Sequence, residues 1–212
     1  MSGPRTPRPP PRRKPAALFD RRQQYSARRT LILSEAARLF NERGFSHCAI
    51  EDIADRLGIV KTAIYHYFSS KHEILYECYL QAFEVADEAL AEAEAGTSTG
   101  REKMERYVRS YVLNGIAAGT HVLPLREIKA LPPPLRRQLD LRRRTRRDRL
   151  RALVAEGVRD GSIRPCDPKI VVSAWAGTLG WIMESYRNDG PLSFDEIAEQ
   201  LIGIFMHGIA AT

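Results

Sequence analysis

Cysteine is scarce in this chain. Its 212 residues hold Cys48, Cys78 and Cys166 as isolated thiols, with no CxxC pair and no even set. A disulfide framework and a thiolate metal centre are thereby excluded, and the usage fits a reducing cytoplasm. Long apolar runs are missing too: no segment approaches the ~18 apolar residues of a membrane span, and the amino terminus lacks the apolar core of a signal peptide. The histidines (His47, His66, His72, His121, His207) are scattered without HExxH or metal-ligand spacing. No serine sits in a GxSxG elbow and no glycine loop could cradle phosphate, so neither an enzyme nor a bound metal or cofactor is expected. Strand-like alternation is equally rare. Helical periodicity instead recurs from Ala27 to Ile209, which predicts an all-α fold.

Charge is present but uneven. The net charge is +7, and residues 1–24 carry seven basic side chains (Arg5, Arg8, Arg12, Arg13, Lys14, Arg21, Arg22) against Asp20. The rest of the chain is therefore nearly neutral. Residues 1–15 also hold six prolines and no large apolar residue after Met1. Such a segment cannot bury enough surface to fold alone, so residues 1–25 read as a disordered basic arm. Its place ahead of the first helix makes it a candidate phosphate or minor-groove contact, and a solubilising tail is an equal reading.

The richest segment is residues 44–71, GFSHCAIEDIADRLGIVKTAIYHYFSSK. Ile50, Ile53, Ala54 and Leu57 have the one-sided spacing of a short amphipathic helix, which Gly58 can end by entering the left-handed region. A second helix is expected from about Lys61 to Phe68, with Ile64 and Phe68 inward and Lys61, Thr62, Tyr65 and His66 outward. Two short helices about three residues apart, the second with a polar, aromatic and cationic face, form a helix-turn-helix that presents a probe to the DNA major groove.

ARLFNERGF at Ala37–Phe45, IEDIADRLGI, the KxxIYxYF pattern at Lys61–Phe68 and the following SSK together resemble the DNA-binding domain of the tetracycline-repressor (TetR/AcrR) family. The resemblance is specific over roughly residues 26–86 and architectural beyond them. It implies a DNA-reading role for Lys61, Thr62, Tyr65 and His66, with Tyr67 and Lys71 nearer the phosphates; Ala63 on the same helix, and Arg28 and Arg29 near the start of the first helix, are further DNA-binding candidates. Two departures stand out: Cys48 and Ala49 replace the usual Thr or Ser at the start of the first helix of the pair, and Val60 replaces the Ser before Lys61. Both lost hydroxyls would act as caps or phosphate donors, leaving Ser46 as a substitute cap for the first helix and none for the second.

About nine helices are expected along the chain. They run Ser26–Arg43, the pair above, a long helix from near Ser70 to about Ala95, Glu102–Ala118, a short piece at His121–Leu131, Pro134–Asp160, Pro168 to about Arg187, and a last helix after the turn at Asn188–Ser193. GTSTG at Gly96–Gly100 is a clear break, and the long helix before it would act as a lever between two domains, residues 26–86 and 87–212. The last two helices are apolar on two sides. Val171, Trp175, Thr178 and Ile182 form one row, and Ile170, Ala174, Gly177 and Trp181 another. They are the expected homodimer face, a four-helix bundle with two helices from each subunit, which the resemblance also implies.

Nine arginines crowd Arg136–Arg151, within the helix expected at Pro134–Asp160. The apolar frame of Leu135 and Leu139 resumes at Leu150, Leu153 and Val154, and its extension places Arg142, Arg143 and Arg146 at inward positions. An inward guanidinium needs an anionic partner, supplied by a carboxylate or phosphate ligand or by chain carboxylates such as Glu94, Glu102 or Glu105. Phe83, Tyr107, Tyr111, Trp175 and Met183 could line the same space, and the resemblance implies a small-molecule pocket there. The tail SYRNDGPLSFDEIAEQLIGIFMHGI (Ser185–Ile209) looks similar to family members that sense acyl-CoA or related lipid intermediates. The expectation is a ligand-responsive repressor that binds a palindromic operator in double-stranded DNA and releases it to a small-molecule effector. An activator, or a nucleoid-type protein binding almost any duplex, is the alternative.

Overall fold

The computed structural model describes residues 15–96, 98–117, 125–185 and 191–209, and among them every regular element is helical. Helix α1 spans Pro15–Arg43, and a 3-10 turn at Phe45–His47 leads to α2, Ile50–Leu57. Helix α3 is Lys61–Tyr65 and α4 is Lys71–Glu94. Beyond these lie α5 (Gly100–Ala117), a 3-10 segment (Leu125–Ala130), α6 (Pro133–Asp160), α7 (Pro168–Ser185) and α8 (Phe194–Ile209).

Two apolar cores result, and α4 enters both. Ile74, Leu75, Cys78, Tyr79 and Phe83 close the first over Leu33, Phe40, Ile53, Ile64 and Phe68, whereas Ala89, Leu90 and Ala93 pack in the second with Met104, Tyr107, Leu153 and Trp175. A helix seated in two cores carries displacement between them, because packed side chains transmit strain instead of absorbing it. Ile128, Leu131 and Leu139 also belong to the first core, so the carboxy-terminal half of the chain closes over the helix-turn-helix.

Helix ends follow local chemistry. Gly58 adopts φ 63° and ψ 32° at the end of α2, and its N–H reaches back to Asp55. Ser70 caps α4 by accepting the Glu73 N–H at 3.1 Å, while the Glu73 carboxylate accepts from the Ser69 N–H at 2.6 Å. Where α5 crosses α6, a Cβ on Gly100 would stand 2.1 Å from the backbone nitrogen of Gly157, so only glycine permits this approach.

Three expectations about local structure are corrected. Helix α1 starts at Pro15, not Ser26, so the part of the arm from residue 15 to residue 25 is helical; Pro15 fixes its first turn, and no proline or glycine interrupts the chain from there to Arg43. Residues 1–14 lie outside the described residues, as does the amino-terminal part of the piece expected at His121–Leu131. Ser46 does not cap α2. Ala49 occupies that position, and the Asp52 carboxylate substitutes by accepting the Ala49 N–H at 2.6 Å. Helix α3 ends at Tyr65, short of Phe68, although the Phe68 N–H still bonds Ile64 O at 3.0 Å. Its start at Val60 carries no side-chain cap, as the sequence suggests.

Candidate DNA-reading face and inner arginine site

Helix α3 is held from beneath by Ile64, which is fully buried against the α1–α2 core. Its opposite side is open. Lys61, Thr62, Tyr65 and His66 are exposed together, Tyr65 at 45%, and Val60 beside them at 69%. The Lys61 ammonium pairs with Glu51 at 2.5 Å and lies 5.7 Å from the Tyr65 ring centre. Glu51 holds the Lys61 pKa above its ordinary value. Ala63 is half-buried at the edge of this face, and Tyr67 is half-covered by Tyr25, ring centres 4.8 Å apart.

Two of the residues expected to contact DNA, Lys71 and Arg29, hold partners inside the chain. Lys71 donates to the carbonyls of Phe45 and Cys48, both at 2.8 Å, and sits over the Phe45 ring at 4.1 Å. It braces the turn ahead of α2, adding to the Cys48 N–H that already bonds Phe45 O at 3.4 Å. Arg29 pairs with Glu77 at 2.9 Å and covers the Phe68 ring at 4.8 Å. Arg28 remains exposed on α1.

Three arginines of α6, Arg142, Arg146 and Arg149, face α4, and carboxylates of the chain answer them. Arg142 donates through Nε to Asp87 at 2.5 Å, and Arg146 donates to the other Asp87 oxygen at 2.9 Å. The Arg146 guanidinium also lies 4.6 Å from the Phe83 ring centre and donates to Phe83 O at 3.4 Å. One turn further on, Arg149 grips Glu94 with two hydrogen bonds, at 3.1 Å and 2.5 Å. Of the carboxylates expected as partners, Glu94 serves. Glu102 instead bonds Thr99 at the start of α5, and Glu105 lies 3.8 Å from Arg109.

Tyr107 and Tyr111 stack with ring centres 5.8 Å apart and planes 4° off parallel. Burial pushes both phenols up, and the charges of Arg146 and Asp87 both act on them, which places this aromatic pair beside the ion pair. Phe83, Arg142 and Arg146 are brought together at Asp87, and the tyrosine pair lies within reach of the charges of Arg146 and Asp87. Arg143 is not among them. It turns to Asp140 at 3.3 Å, and burial depresses its pKa. Trp175 is buried in the second core against Phe205, 5.4 Å between ring centres, and the side chain of Met183 lies outside the described residues. Asp87 went unrecognised in the sequence. Its signal was spacing, since Phe83 and Asp87 stand four apart on one face, as do Arg142 and Arg146 opposite.

On the outer side of α7 and α8, Ile170 is 65% and Ile204 70% exposed. Nothing lies within 4 Å of where side chains on Gly177 and Gly203 would begin. Val171, Trp175, Ile202 and Met206 face inward. Among the described residues, no helix is long and apolar enough to cross a membrane.

A helix-turn-helix with a polar, aromatic outer face, joined by one helix to a second helical core, has the layout of a DNA-binding regulator with a separate helical body. Known proteins share both parts. Residues 32–78 match the model of bacterial regulatory proteins of the tetR family, and residues 97–209 match that of the tetracyclin repressor-like C-terminal domain. The chain belongs to the tetR family. It is a DNA-binding transcriptional regulator of that family.

Its relatives include the transcriptional repressor KstR2 of Mycolicibacterium smegmatis, 26% identical over 203 residues, which span 90% of this chain and 94% of the relative. Among solved structures it resembles PfmR of Thermus thermophilus, with a TM-score of 0.73 and 32% identity over 83% of this chain and 97% of that one. The fold also matches AibR, solved with isovaleryl coenzyme A and operator DNA, at a TM-score of 0.70 and 24% identity over 85% of this chain and 96% of that one.

Proposed function

We propose that this regulator is a repressor that works in the cytoplasm as a homodimer on a palindromic operator and releases it when an amphipathic acid, of the acyl-CoA class, enters between α4, α5 and α6. The observation that carries this reading is Asp87, an inner carboxylate of the lever helix held by Arg142 and Arg146 beside a stacked tyrosine pair. An acidic ligand competes with Asp87 for the two guanidinium groups, while Phe83, Tyr107 and Tyr111 offer apolar surface to its tail. Once Asp87 is displaced, α4 loses one of its ion-pair ties to α6, another being Glu94 to Arg149, and shifts the reading heads. Ligand and DNA then favour opposite states. Coupling of this kind is worth ~1–3 kcal/mol, a switch of about 5–150-fold. AibR, with its bound isovaleryl coenzyme A, supports the ligand class.

On the DNA side, Lys61, Thr62, Tyr65 and His66 enter the major groove, with Ala63 at the edge of the contact. Glu51 gives up Lys61 to the phosphates. The exposed faces of α7 and α8 around Ile170 and Ile204 pair across the dimer, setting two α3 helices ~34–36 Å apart for successive major grooves. The test is fluorescence anisotropy on DNA selected by the protein from a random pool, titrated with saturated acyl-CoAs of increasing chain length. Release by one chain-length class, lost in Arg146→Met, supports the reading. Release by none of them sinks the acyl-CoA assignment and leaves the DNA role intact.

A further inference from the structure

The first turns of α1 carry a stripe that the helix-turn-helix leaves unused. At about 100° per residue, Arg21, Arg22, Tyr25, Arg28 and Arg29, spaced i, i+1, i+4, i+7 and i+8, fall within roughly one third of the helix circumference. Two contacts fix where this stripe points. Arg29 lies over Phe68 and pairs with Glu77, and one turn earlier the Tyr25 ring tilts against Tyr67. Tyr67 is two residues beyond the end of α3, so the stripe runs past the carboxy-terminal end of the reading helix. One turn further out, Arg21 and Arg22 are exposed, with no carboxylate partner among the described residues, and Arg28 is the same. The helix is therefore docked on the reading domain by its aromatic and inner arginine, while three guanidinium groups on the same stripe are left facing outward.

Resting on the major-groove placement of α3 proposed above, we infer that this extension of α1 is a second DNA contact, in which Arg21, Arg22 and Arg28 clamp the sugar-phosphate backbone beside the bases read by α3, aligned by the tilted Tyr25–Tyr67 contact. The occupant follows from continuity and charge. The stripe adjoins the face of Tyr65 and His66, and a duplex lying on that face brings a row of phosphates past it. Guanidinium binds phosphate in a bidentate fork, and a helix holds successive forks at fixed spacing, which a flexible tail does not. Phosphate contacts of this kind set register and affinity without reading sequence.

The salt dependence of operator binding tests this directly. Each phosphate neutralised adds about 0.9 to the slope of log affinity against log salt, so two arginines from each protomer of a dimer account for about 3–4. Full-length Arg21→Ala/Arg22→Ala is titrated on the selected duplex and on a scrambled one, from about 50 to about 300 mM KCl. The expected result is a slope lower by that amount, an unchanged ranking of the two duplexes and an unchanged melting midpoint. Arg21→Lys/Arg22→Lys keeps most of the slope, and Tyr25→Ala loses part of it with every charge retained. A double-alanine slope equal to that of the parent overturns the proposal whatever the affinity, and a lost preference for the selected duplex overturns the backbone assignment.

Discussion

Replacing Asp87 by alanine removes one of the ties between the lever helix and α6, and its cost can be worked from the geometry. Asp87 accepts one charged hydrogen bond from Arg142 at 2.5 Å and one from Arg146 at 2.9 Å. Bonds to charged groups are worth about 1.5–3 kcal/mol each in protected settings. The site is not fully dry. The side chains are 23% exposed for Asp87, 13% for Arg146 and 33% for Arg142, so solvent screening discounts the sum. Arg142 also keeps Glu84 at 4.0 Å, whereas Arg146 is left with the carbonyl and ring of Phe83. The expected loss is about 2–3 kcal/mol, or about 5–10 °C in melting midpoint for a chain of this size. Urea unfolding at one fixed protein concentration measures it, since a dimer's stability depends on concentration. A cycle with Arg146→Met isolates the pair and should show a coupling of about 1–2 kcal/mol. Asp87→Ala within about 0.5 kcal/mol of the parent, or strictly additive single variants, would refute the tie.

Gly100→Ala should cost at least about 3 kcal/mol, because its Cβ meets backbone at 2.1 Å and neither helix can step aside; a melt comparable to the parent would show that the crossing relaxes. Tyr65→Ala should weaken binding to the selected operator by about tenfold or more while leaving the melting curve in place, as expected for an exposed side chain on the reading face. Ile204→Glu puts a charge on the open face of α8 and should shift the protein to monomers in sedimentation velocity, and an intact dimer would move the interface elsewhere. Hydrogen bonds from Ser69 hold the Glu73 carboxyl below its ordinary pKa in the folded chain, so its contribution to stability is present above the unfolded glutamate value and is lost as pH falls through the carboxylate range. Glu73→Gln should flatten that part of the acid unfolding profile.

The helical class, the helix-turn-helix and the outward set on α3 are all legible along the chain. They depend on local facts: the period of apolar residues, the left-handed tolerance of Gly58, and the need for Ile64 and Phe68 to turn inward. The inward placement of Arg142 and Arg146 is legible too, because their helix has a single apolar frame. What each inward or basic group meets is settled only by folding. Lys71 and Arg29 read as DNA ligands in one dimension, and packing brings the carbonyls of Phe45 and Cys48 to one and Glu77 to the other. Asp87 lies 55 residues from Arg142 along the chain, a separation at which no helical periodicity operates. The extension of α1 gains its meaning from the seating of Tyr25 on Tyr67. Side-chain direction on a helix is fixed by near neighbours, but the partner at its tip is chosen by whichever distant element packs there.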